Sequence, residues 1–257
     1  MKSVKTIDIL NYLNEVFQDY QMEDYSYNGL QFEGKPKVKK IVAGVDATLE
    51  FFDAAKKSNA DFAIVHHGLF WKGGEWSRLD RLNKRIFKAL DEIDLNLYAS
   101  HLPLDAHKEF GNNACIAKEL GLTITGPFAV TKGYPIGYIA KTAKPIKLAE
   151  FKALAESKIG KIITELDFGK DTVSNIAIVS GGGGSYVKDP AIYDGKADLL
   201  LTGEIIHQQV AMCREREVNM LSLGHYATEI FGVKALTQHV AEKFKLEYEF
   251  IDLPTGL

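Results

Sequence analysis

Cysteine, long apolar runs and an excess of charge of one sign are all scarce in this 257-residue chain. The two cysteines, Cys115 and Cys213, lie far apart, which argues against a disulfide framework and against a thiolate zinc site. No apolar run approaches the roughly 20 residues that span a membrane, and no secretory signal is evident. A net charge of −3 gives no general reason to bind nucleic acid or acidic membranes. We therefore expect a cytoplasmic protein.

The rest of the composition is typical of a folded globular protein, since 46% of the residues are hydrophobic and 25% are charged. Strand and helix patterns alternate along the chain, which predicts the α/β class. The first half is predicted to contain helices at 6–20, 49–58, 81–92 and 111–120, and strands at 40–46, 61–65 and 96–100. Strands predicted at 175–180 and 197–201 begin the same order again. The apolar face of the first helix is predicted to comprise Ile7, Leu10, Leu13 and Phe17.

The second half of the chain repeats the pattern of the first. Residues 196–200 match the pattern of 59–63, and continuing the comparison places His101 opposite His225. The acidic residues four positions after these two histidines then match as well. Several coincidences in the same order indicate two related α/β units.

These two units are predicted to span 1–126 and 127–257, divided at the loop around Gly126. We expect them to face each other across one metal-binding cleft. Residues 128–172 are predicted to be an extra strand-helix-strand stretch, which carries scattered charge but no cluster of potential ligands.

The adjacent histidines His66 and His67 are the most informative feature of the sequence. They follow the apolar run 62–65 and precede Gly68. A buried strand that delivers side chains to a cleft at its carboxyl end has this pattern. Neighbouring residues of a strand point to opposite faces. Both imidazoles can therefore reach one metal only if the strand has ended, and Gly68 permits such a turn.

Two later histidines are each followed by an acidic residue at the same spacing, in the segments His101 to Asp105 and His225 to Glu229. If the second segment opens a helix, positions i and i+4 share a face and both side chains can meet one ion. The alternative is that His225 merely ends a strand. Glu229 would then be a solvated acid in the first helical turn, where the helix dipole favours it.

Imidazole and carboxylate ligands together suit zinc, iron, manganese, cobalt or nickel rather than calcium. Three histidines and two carboxylates exceed the needs of one tetrahedral zinc ion and suit two adjacent ions. The sequence therefore predicts two divalent metal ions per chain. The predicted ligands are His66, His67, Asp105, His225 and Glu229.

Three further histidines are less clear. His101 is a metal ligand, a residue that orients Asp105, or a general acid or base, and we favour the last two roles. His107 is predicted to lie on the surface. His207 follows Glu204 near a strand end, and both are candidate substrate contacts.

Four consecutive glycines, at 181–184, follow a predicted strand. Their N–H groups could bind phosphate, with Gly182 as the candidate contact, or they could form a tight turn. The run lacks the lysine of a Walker A loop. Lys72, beside the aromatic pair Phe70 and Trp71, is a second candidate for contact with an anion.

Taken together, these segments resemble the NIF-three-like family, whose members are often called type 2 homologues of GTP cyclohydrolase I. The resemblance spans nearly the whole chain and is closest to the short members. It is carried by Asn28-Gly29-Leu30-Gln31, Val45-Asp46-Ala47-Thr48, His66-His67-Gly68-Leu69-Phe70-Trp71, His101-Leu102-Pro103-Leu104-Asp105, Leu201-Thr202-Gly203-Glu204 and Gly224-His225-Tyr226-Ala227-Thr228-Glu229.

The resemblance implies a dinuclear metal site on the five ligands named above and a ring-shaped homohexamer whose sites face an internal cavity. The family name suggests opening of the guanine imidazole ring of GTP with loss of formate. Family members have also been regarded as interaction partners of other proteins.

The leading hypothesis is a metal-dependent hydrolase that acts on a nucleotide or a related heterocycle. A metal-bound hydroxide would attack, with His101 and Glu229 as catalytic residues. Lys72, Gly182, Glu204 and His207 are the predicted substrate contacts. The alternatives are a two-metal phosphoesterase or nuclease, and a non-catalytic, metal-stabilised ring that acts as an adaptor.

Overall fold

The computed structural model describes residues 3–74 and 78–257. The first part of the chain alternates short strands with helices that cross between them. Its elements are β1 (Val4–Lys5), α1 (Thr6–Val16), β2 (Gly29–Phe32), β3 (Lys37–Val38), β4 (Lys40–Asp46), α2 (Leu49–Lys57), β5 (Phe62–His67), α3 (Arg81–Ile93) and β6 (Asn96–Ala99).

The second part contains longer strands, a short 3₁₀ helix at Gly183–Lys188 and the longest helix described. Its elements are α4 (Leu102–Asp105), α5 (Asn112–Glu119), β7 (Thr123–Thr131), β8 (Tyr134–Lys147), α6 (Leu148–Lys158), β9 (Thr164–Asp167), β10 (Thr172–Val179), α7 (Pro190–Tyr193), β11 (Leu199–Thr202), α8 (His207–Arg216), β12 (Asn219–Ser222), α9 (His225–Phe244) and β13 (Glu247–Phe250). Within the described residues, no helix is both long enough and apolar enough to cross a membrane.

The chain folds into two compact units that do not follow the sequence halves. The first unit comprises Met1–Leu104 and Gly232–Leu253, and the second comprises Asp105–Phe231 and Pro254–Leu257. The division therefore lies before Gly126, because apolar side chains of α5 join the core of the second unit. Helix α9 begins in the second unit and ends in the first.

The first unit contains a five-stranded sheet in the order β13-β4-β5-β6-β2. Neighbouring strands from β13 to β6 run parallel, and β2 pairs antiparallel with β6. Helices α2 and α3 cover the sheet with apolar side chains that include Phe51, Phe52, Ile86 and Leu90. Parallel strands that are buried in this way present their carboxyl ends along one edge.

The second unit contains a six-stranded sheet in the order β7-β8-β10-β11-β12-β9. Strands β10, β11 and β12 run parallel, whereas β9 pairs antiparallel with β12. The order β9-β12-β11-β10 therefore reproduces the order β2-β6-β5-β4 of the first sheet. Helix α6 and strand β9 precede β10 as α1 and β2 precede β4, so most of residues 128–172 belong to the repeat. The predicted strand-helix-strand order of this stretch is confirmed. The prediction that all of it is extra was wrong for α6 and β9, whereas the β7–β8 hairpin has no counterpart among the described strands of the first sheet.

A buried hydrogen-bond network marks the amino edge of the first sheet. Asp61 accepts hydrogen bonds from Nζ of Lys35 at 2.8 Å and from the backbone N–H of Lys39 at 2.8 Å. The side chain of Asn96 accepts from the N–H of Gly34 at 2.9 Å and donates to the carbonyl oxygen of Lys35 at 2.8 Å. These bonds fix the loop that leads into β4.

The second sheet repeats this network group by group. Asp198 accepts from Nζ of Lys170 at 2.9 Å and from the N–H of Ser174 at 3.0 Å. Asn219 accepts from the N–H of Gly169 at 2.8 Å and donates to the carbonyl oxygen of Lys170 at 2.8 Å. The same strand order and the same polar network in both units support the prediction of two related α/β units.

The predicted correspondence at the last strand of each repeat is one residue out of register. The N–H of Ser100 donates to the carbonyl oxygen of Val65 at 3.0 Å, and the N–H of Leu223 donates to that of Thr202 at 3.0 Å. Val65 and Thr202 are equivalent, because each lies four residues after the aspartate of its network. Ser100 therefore corresponds to Leu223.

The helices that follow confirm this shift. Helix α4 begins at Leu102 and helix α9 begins at His225, so these two residues are equivalent. Asp105 accordingly lies opposite Thr228, and the prediction that paired it with Glu229 was wrong. The spacing of four between histidine and acid is not inherited from a common repeat.

The first helix also differs from its prediction. It ends at Val16 rather than near residue 20, and it buries Ile9 and Leu13. Ile7, which the periodicity placed on the apolar face, is 54% exposed. The buried stripe therefore follows positions i and i+4 from Ile9 and continues to the buried Phe17.

Candidate metal-binding site

Three histidines form a cluster at the carboxyl edge of the first sheet. One ring nitrogen from each of His66, His67 and His101 lies within 4.8 Å of the other two. The ring centroids of His66 and His67 are 4.7 Å apart. The strand was expected to end before these two residues, but β5 runs through His67, which pairs with Asp46. Because both residues lie at the end of the strand, their rings meet at the edge of the sheet.

The Nδ1 atoms of the adjacent histidines are held by oxygen atoms. Nδ1 of His66 lies 3.0 Å from the carbonyl oxygen of Ser100. Nδ1 of His67 lies 2.8 Å from Oδ1 of Asp46. An oxygen acceptor at Nδ1 places the ring proton there and leaves the lone pair of Nε2 for a metal, as is usual for histidine ligands.

His101 has a comparable anchor. Its Nδ1 lies 2.8 Å from Oδ1 of Asp24, a side chain that is only 2% exposed. Burial alone would raise the pKa of Asp24, but hydrogen bonds from His101 and Asn28 lower that pKa to about 2. The indole ring of Trp71 packs edge-on against the ring of His101, with the two centroids 5.0 Å apart.

In the second unit, His225 and Glu229 occupy the first turns of α9. Nε2 of His225 lies 3.1 Å from Oε2 of Glu229, which confirms that the two side chains share one face. Nδ1 of His225 lies 2.6 Å from Oε1 of Glu204. Burial alone would lower the pKa of His225, but Glu229 and Glu204 together raise it to about 9. Glu229 is buried, so it is not the solvated acid of the alternative interpretation.

Asp105 is a buried carboxylate that is also oriented by hydrogen bonds. Nδ2 of Asn112 donates to its Oδ1 at 2.8 Å, and Oγ of Ser180 donates to the same atom at 3.3 Å. Ser180 immediately precedes Gly181, and a Cβ atom placed on Gly181 would overlap Oε1 of Glu229. The two residues that follow β10 therefore lie against the carboxylates of Asp105 and Glu229.

The glycine run forms a tight turn that packs against these residues. Gly181 has a φ of +57°, and its N–H donates to Oγ1 of Thr228 at 3.0 Å. Its carbonyl oxygen accepts from the N–H groups of Gly203 and Glu204. The turn then continues into the 3₁₀ helix. Because the N–H of Gly181 is already engaged, these contacts favour the tight turn over a phosphate-binding loop.

The predicted substrate contacts have different surroundings. Lys72, Gly182 and His207 are all exposed, the last as the first residue of α8. Glu204 instead orients His225. Substrate contact at these four positions stays a prediction.

His107 was expected on the surface, and this expectation was wrong. The residue is 8% exposed, and its Nδ1 accepts hydrogen bonds from the N–H groups of Glu109 at 3.1 Å and Phe110 at 3.0 Å. Its ring stacks on that of Phe110 with centroids 4.8 Å apart. His107 thus stabilises the turn before α5.

The residues present fit divalent transition metals. Each unit presents neutral or ionisable nitrogen donors, and the second adds two buried carboxylates, Asp105 and Glu229. Oxygen atoms hold Nδ1 of four histidines, so Nε2 is the nitrogen that each ring would offer to a metal ion or a proton: His66, His67, His101 and His225.

Sequence reasoning missed the residues that orient these groups. Asp24, Asn112 and Ser180 carry no signal in the sequence, because only the fold brings them to His101 and Asp105. Asp46 could have been found, since it ends the strand that runs beside the histidine strand, and parallel strands end at one edge.

The fold and these clusters define an α/β protein that carries histidines and carboxylates at the ends of parallel strands in each of two related units. A family model described as Duf34/NIF3 (NGG1p interacting factor 3) matches residues 4–255. The chain therefore belongs to the DUF34/NIF3 family, as the sequence motifs indicated.

Named relatives agree with this assignment. The "GTP cyclohydrolase 1 type 2 homolog" of Pyrococcus horikoshii is 43% identical over 252 residues, which cover 97% of this chain and 98% of the relative. The solved structure of protein ybgI, described as of unknown function, has a TM-score of 0.90 and 36% identity, and the match covers 99% of this chain and 100% of that one. The crystal structure of TTHA1606 from Thermus thermophilus has a TM-score of 0.87 and the same identity and coverage.

Proposed function

We propose that this protein is a metal-dependent hydrolase that acts on a nucleotide or a related heterocycle. One observation carries the proposal: four histidines at strand ends or helix starts each have Nδ1 held by an oxygen atom. They are His66, His67, His101 and His225. A purely structural histidine needs no such uniform orientation, whereas a metal ligand does. The name given to the Pyrococcus relative supports GTP as the first substrate to examine.

The proposed cofactor is a pair of divalent ions, chosen from zinc, iron, manganese, cobalt and nickel. The histidine pair of the first unit and three residues of the second, Asp105, His225 and Glu229, would hold the pair jointly. Two histidines alone would leave each ion with too few ligands, and in this proposal Asp105 and Glu229 would supply the missing carboxylates. We also propose the homohexamer that the family resemblance implies.

When bound, the ions would lower the pKa of a water molecule toward neutrality and so provide the nucleophile. In the proposed reaction on GTP, water adds at C8 of guanine and a ring C–N bond breaks. A second water then releases C8 as formate. Glu229 would accept a proton from the attacking water. His101 would take up that proton at Nε2 and pass it to the departing ring nitrogen.

The remaining residues would bind the substrate. Lys72 would meet the phosphates, and Gly182 and His207 would border the nucleotide. Glu204 would act here through His225, since its carboxylate is already engaged with that ring.

The proposal is tested by incubating purified, metal-quantified protein with GTP and other nucleotides while formate and phosphate are followed separately. We expect formate release that ceases in Glu229→Gln and after metal is stripped, and that persists in the exposed control Glu247→Gln. Release of phosphate alone would identify a phosphoesterase. Neither product, from protein with two metals bound per chain, would favour the adaptor.

A further inference from the structure

Asp24 is a buried carboxylate that belongs to no helix or strand and that the proposed ligand set does not include. It lies in the segment before β2, and the whole residue is 4% exposed. Burying a charged group in this way costs stability unless every oxygen lone pair finds a donor. Its contacts therefore indicate what the burial achieves.

The carboxylate of Asp24 binds the junction between β6 and α4 with both oxygens. Oδ1 lies 2.8 Å from Nδ1 of His101 and accepts from the N–H of Ser26 at 3.1 Å. Oδ2 accepts from the N–H of Leu102 at 3.0 Å and from Nδ2 of Asn28 at 2.8 Å. Four donors saturate the carboxylate, and two of them come from the adjacent residues His101 and Leu102.

Asn28 completes the clamp. Its Oδ1 accepts from the backbone N–H of His101 at 2.7 Å, while its Nδ2 donates to Asp24. The backbone and the ring of His101 are thus held from one short segment, 24–28. A tether that served the backbone alone would need only the bonds to the N–H groups of His101 and Leu102, and the contact with Nδ1 goes beyond that need.

This contact decides which ring nitrogen of His101 carries the proton. An ionised carboxylate only accepts hydrogen bonds, so Nδ1 must donate, and in the neutral ring the lone pair then lies on Nε2. We propose that Asp24 is a positioning residue that fixes the Nδ1–H tautomer of His101 and directs the Nε2 lone pair toward His66 and His67. The inference deepens the proposed function, because it assigns how His101 is prepared as an acceptor at the metal site.

Asp24→Asn tests the proposal, because an amide retains the shape but replaces one accepting oxygen with a donor. Asp61→Asn is a matched control: Asp61 is also a buried carboxylate in the first unit with several N–H donors, but it lies at the amino edge of the sheet. Both variants lose hydrogen bonds to a buried carboxylate. Only Asp24→Asn should change the tautomer of the His101 ring.

The direct readout is the ¹⁵N NMR spectrum of full-length protein labelled at histidine, without metal and after zinc is added, with His101→Gln to assign the ring. We expect an unprotonated Nε2 in the unmodified protein and in Asp61→Asn. Asp24→Asn should show a mixture of tautomers. The same tautomer in all three proteins would overturn the proposal and leave Asp24 with a role in folding only.

A second readout is a double-mutant cycle on turnover of GTP. We expect kcat to fall about 10–100-fold in Asp24→Asn with little change in KM, and to fall no further when His101 is already glutamine. Additive losses would contradict the proposal. The NMR result does not depend on turnover, so absence of formate release would reject the proposed hydrolysis without affecting the test of Asp24.

Discussion

Glu204 accepts a 2.6 Å hydrogen bond from Nδ1 of His225, whose Nε2 faces Glu229. The imidazole is therefore held between two carboxylates, one that orients it and one that shares its face of α9. Asp46 orients His67 of the first unit through the same kind of contact, with its Oδ1 2.8 Å from Nδ1 of that ring. Paired carboxylate and imidazole groups of this kind raise the basicity of the ligand nitrogen.

Glu204→Gln should weaken metal binding without unfolding the protein. The amide oxygen can still accept from Nδ1, but it lacks the charge that makes Nε2 a stronger ligand. We expect zinc affinity to fall about 10–100-fold, measured by competition with a chromophoric chelator. Glu217→Gln, at an exposed helix end in the same unit, should retain the original affinity. Equal affinities in both variants would show that Glu204 does not act through His225.

Metal binding should release a proton from His225. In the metal-free protein Glu229 and Glu204 outweigh burial and raise the pKa of this residue to about 9, so the ring is protonated at neutral pH. A metal requires the neutral ring. We expect affinity to rise about tenfold per pH unit up to roughly pH 9 if one proton is released.

Calorimetric titration of zinc in two buffers with different ionisation enthalpies measures this proton. The apparent enthalpies should differ by about the difference between the buffers, with the proton released to the buffer. Identical enthalpies in both buffers would contradict the assignment. In His225→Gln, the difference in apparent enthalpy that comes from this proton should disappear.

Gly181→Ala should displace the carboxylate of Glu229. Its backbone has a φ of +57°, and an added Cβ would overlap Oε1 of Glu229. The left-handed conformation alone costs an alanine about 1–2 kcal/mol, and Glu229 must move as well. We expect a lower unfolding temperature and weaker metal binding. Gly126→Ala is the control, since its Cβ would have open space. Unchanged metal affinity in Gly181→Ala would show that this close approach does not set the position of Glu229.

Stability at low pH should depend on the repeated aspartates. Burial alone would raise the pKa of Asp61, but the Lys35 ammonium and backbone N–H groups lower it. A lowered pKa means that the stabilisation is present above the unfolded value near 3.8 and is lost as pH falls below it. The pKa of Asp198 is lowered in the same way by Lys170 and backbone N–H groups.

We therefore expect Asp61→Asn to reduce the free energy of unfolding by about 1–3 kcal/mol at neutral pH and by progressively less as the pH falls below the unfolded pKa. Urea unfolding at several pH values measures the difference, with exposed Asp53→Asn as the control. A constant difference across this range would show that the charge of Asp61 contributes nothing.

Much of the fold was predictable because strands and helices leave strong local patterns. The strand at Lys40–Asp46 was predicted with its observed bounds, and the helix predicted at 81–92 differs from α3 by one residue. The order of the repeat followed from the same patterns. Its exact register did not, because a shift of one residue at His101 changes no local pattern and is decided by pairing between strands.

The candidate site divides in the same way. The His66-His67 pair and the segment from His225 to Glu229 were visible, since both carry ligand types at strand or helix ends. The anchors Asp24 and Ser180 were not visible. They lie 77 and 75 residues in sequence from the side chains that they orient, and only folding brings them together.

We propose that two divalent ions are held jointly by five side chains: His66, His67, Asp105, His225 and Glu229. Anomalous diffraction from crystals of the metal-loaded protein, collected on both sides of the metal absorption edge, tests it directly. We expect two anomalous peaks per chain within bonding distance of these side chains. In Glu229→Gln, we expect no peak at the metal position that Glu229 would bind. Peaks elsewhere, or a single ion that none of these residues binds, would contradict the account.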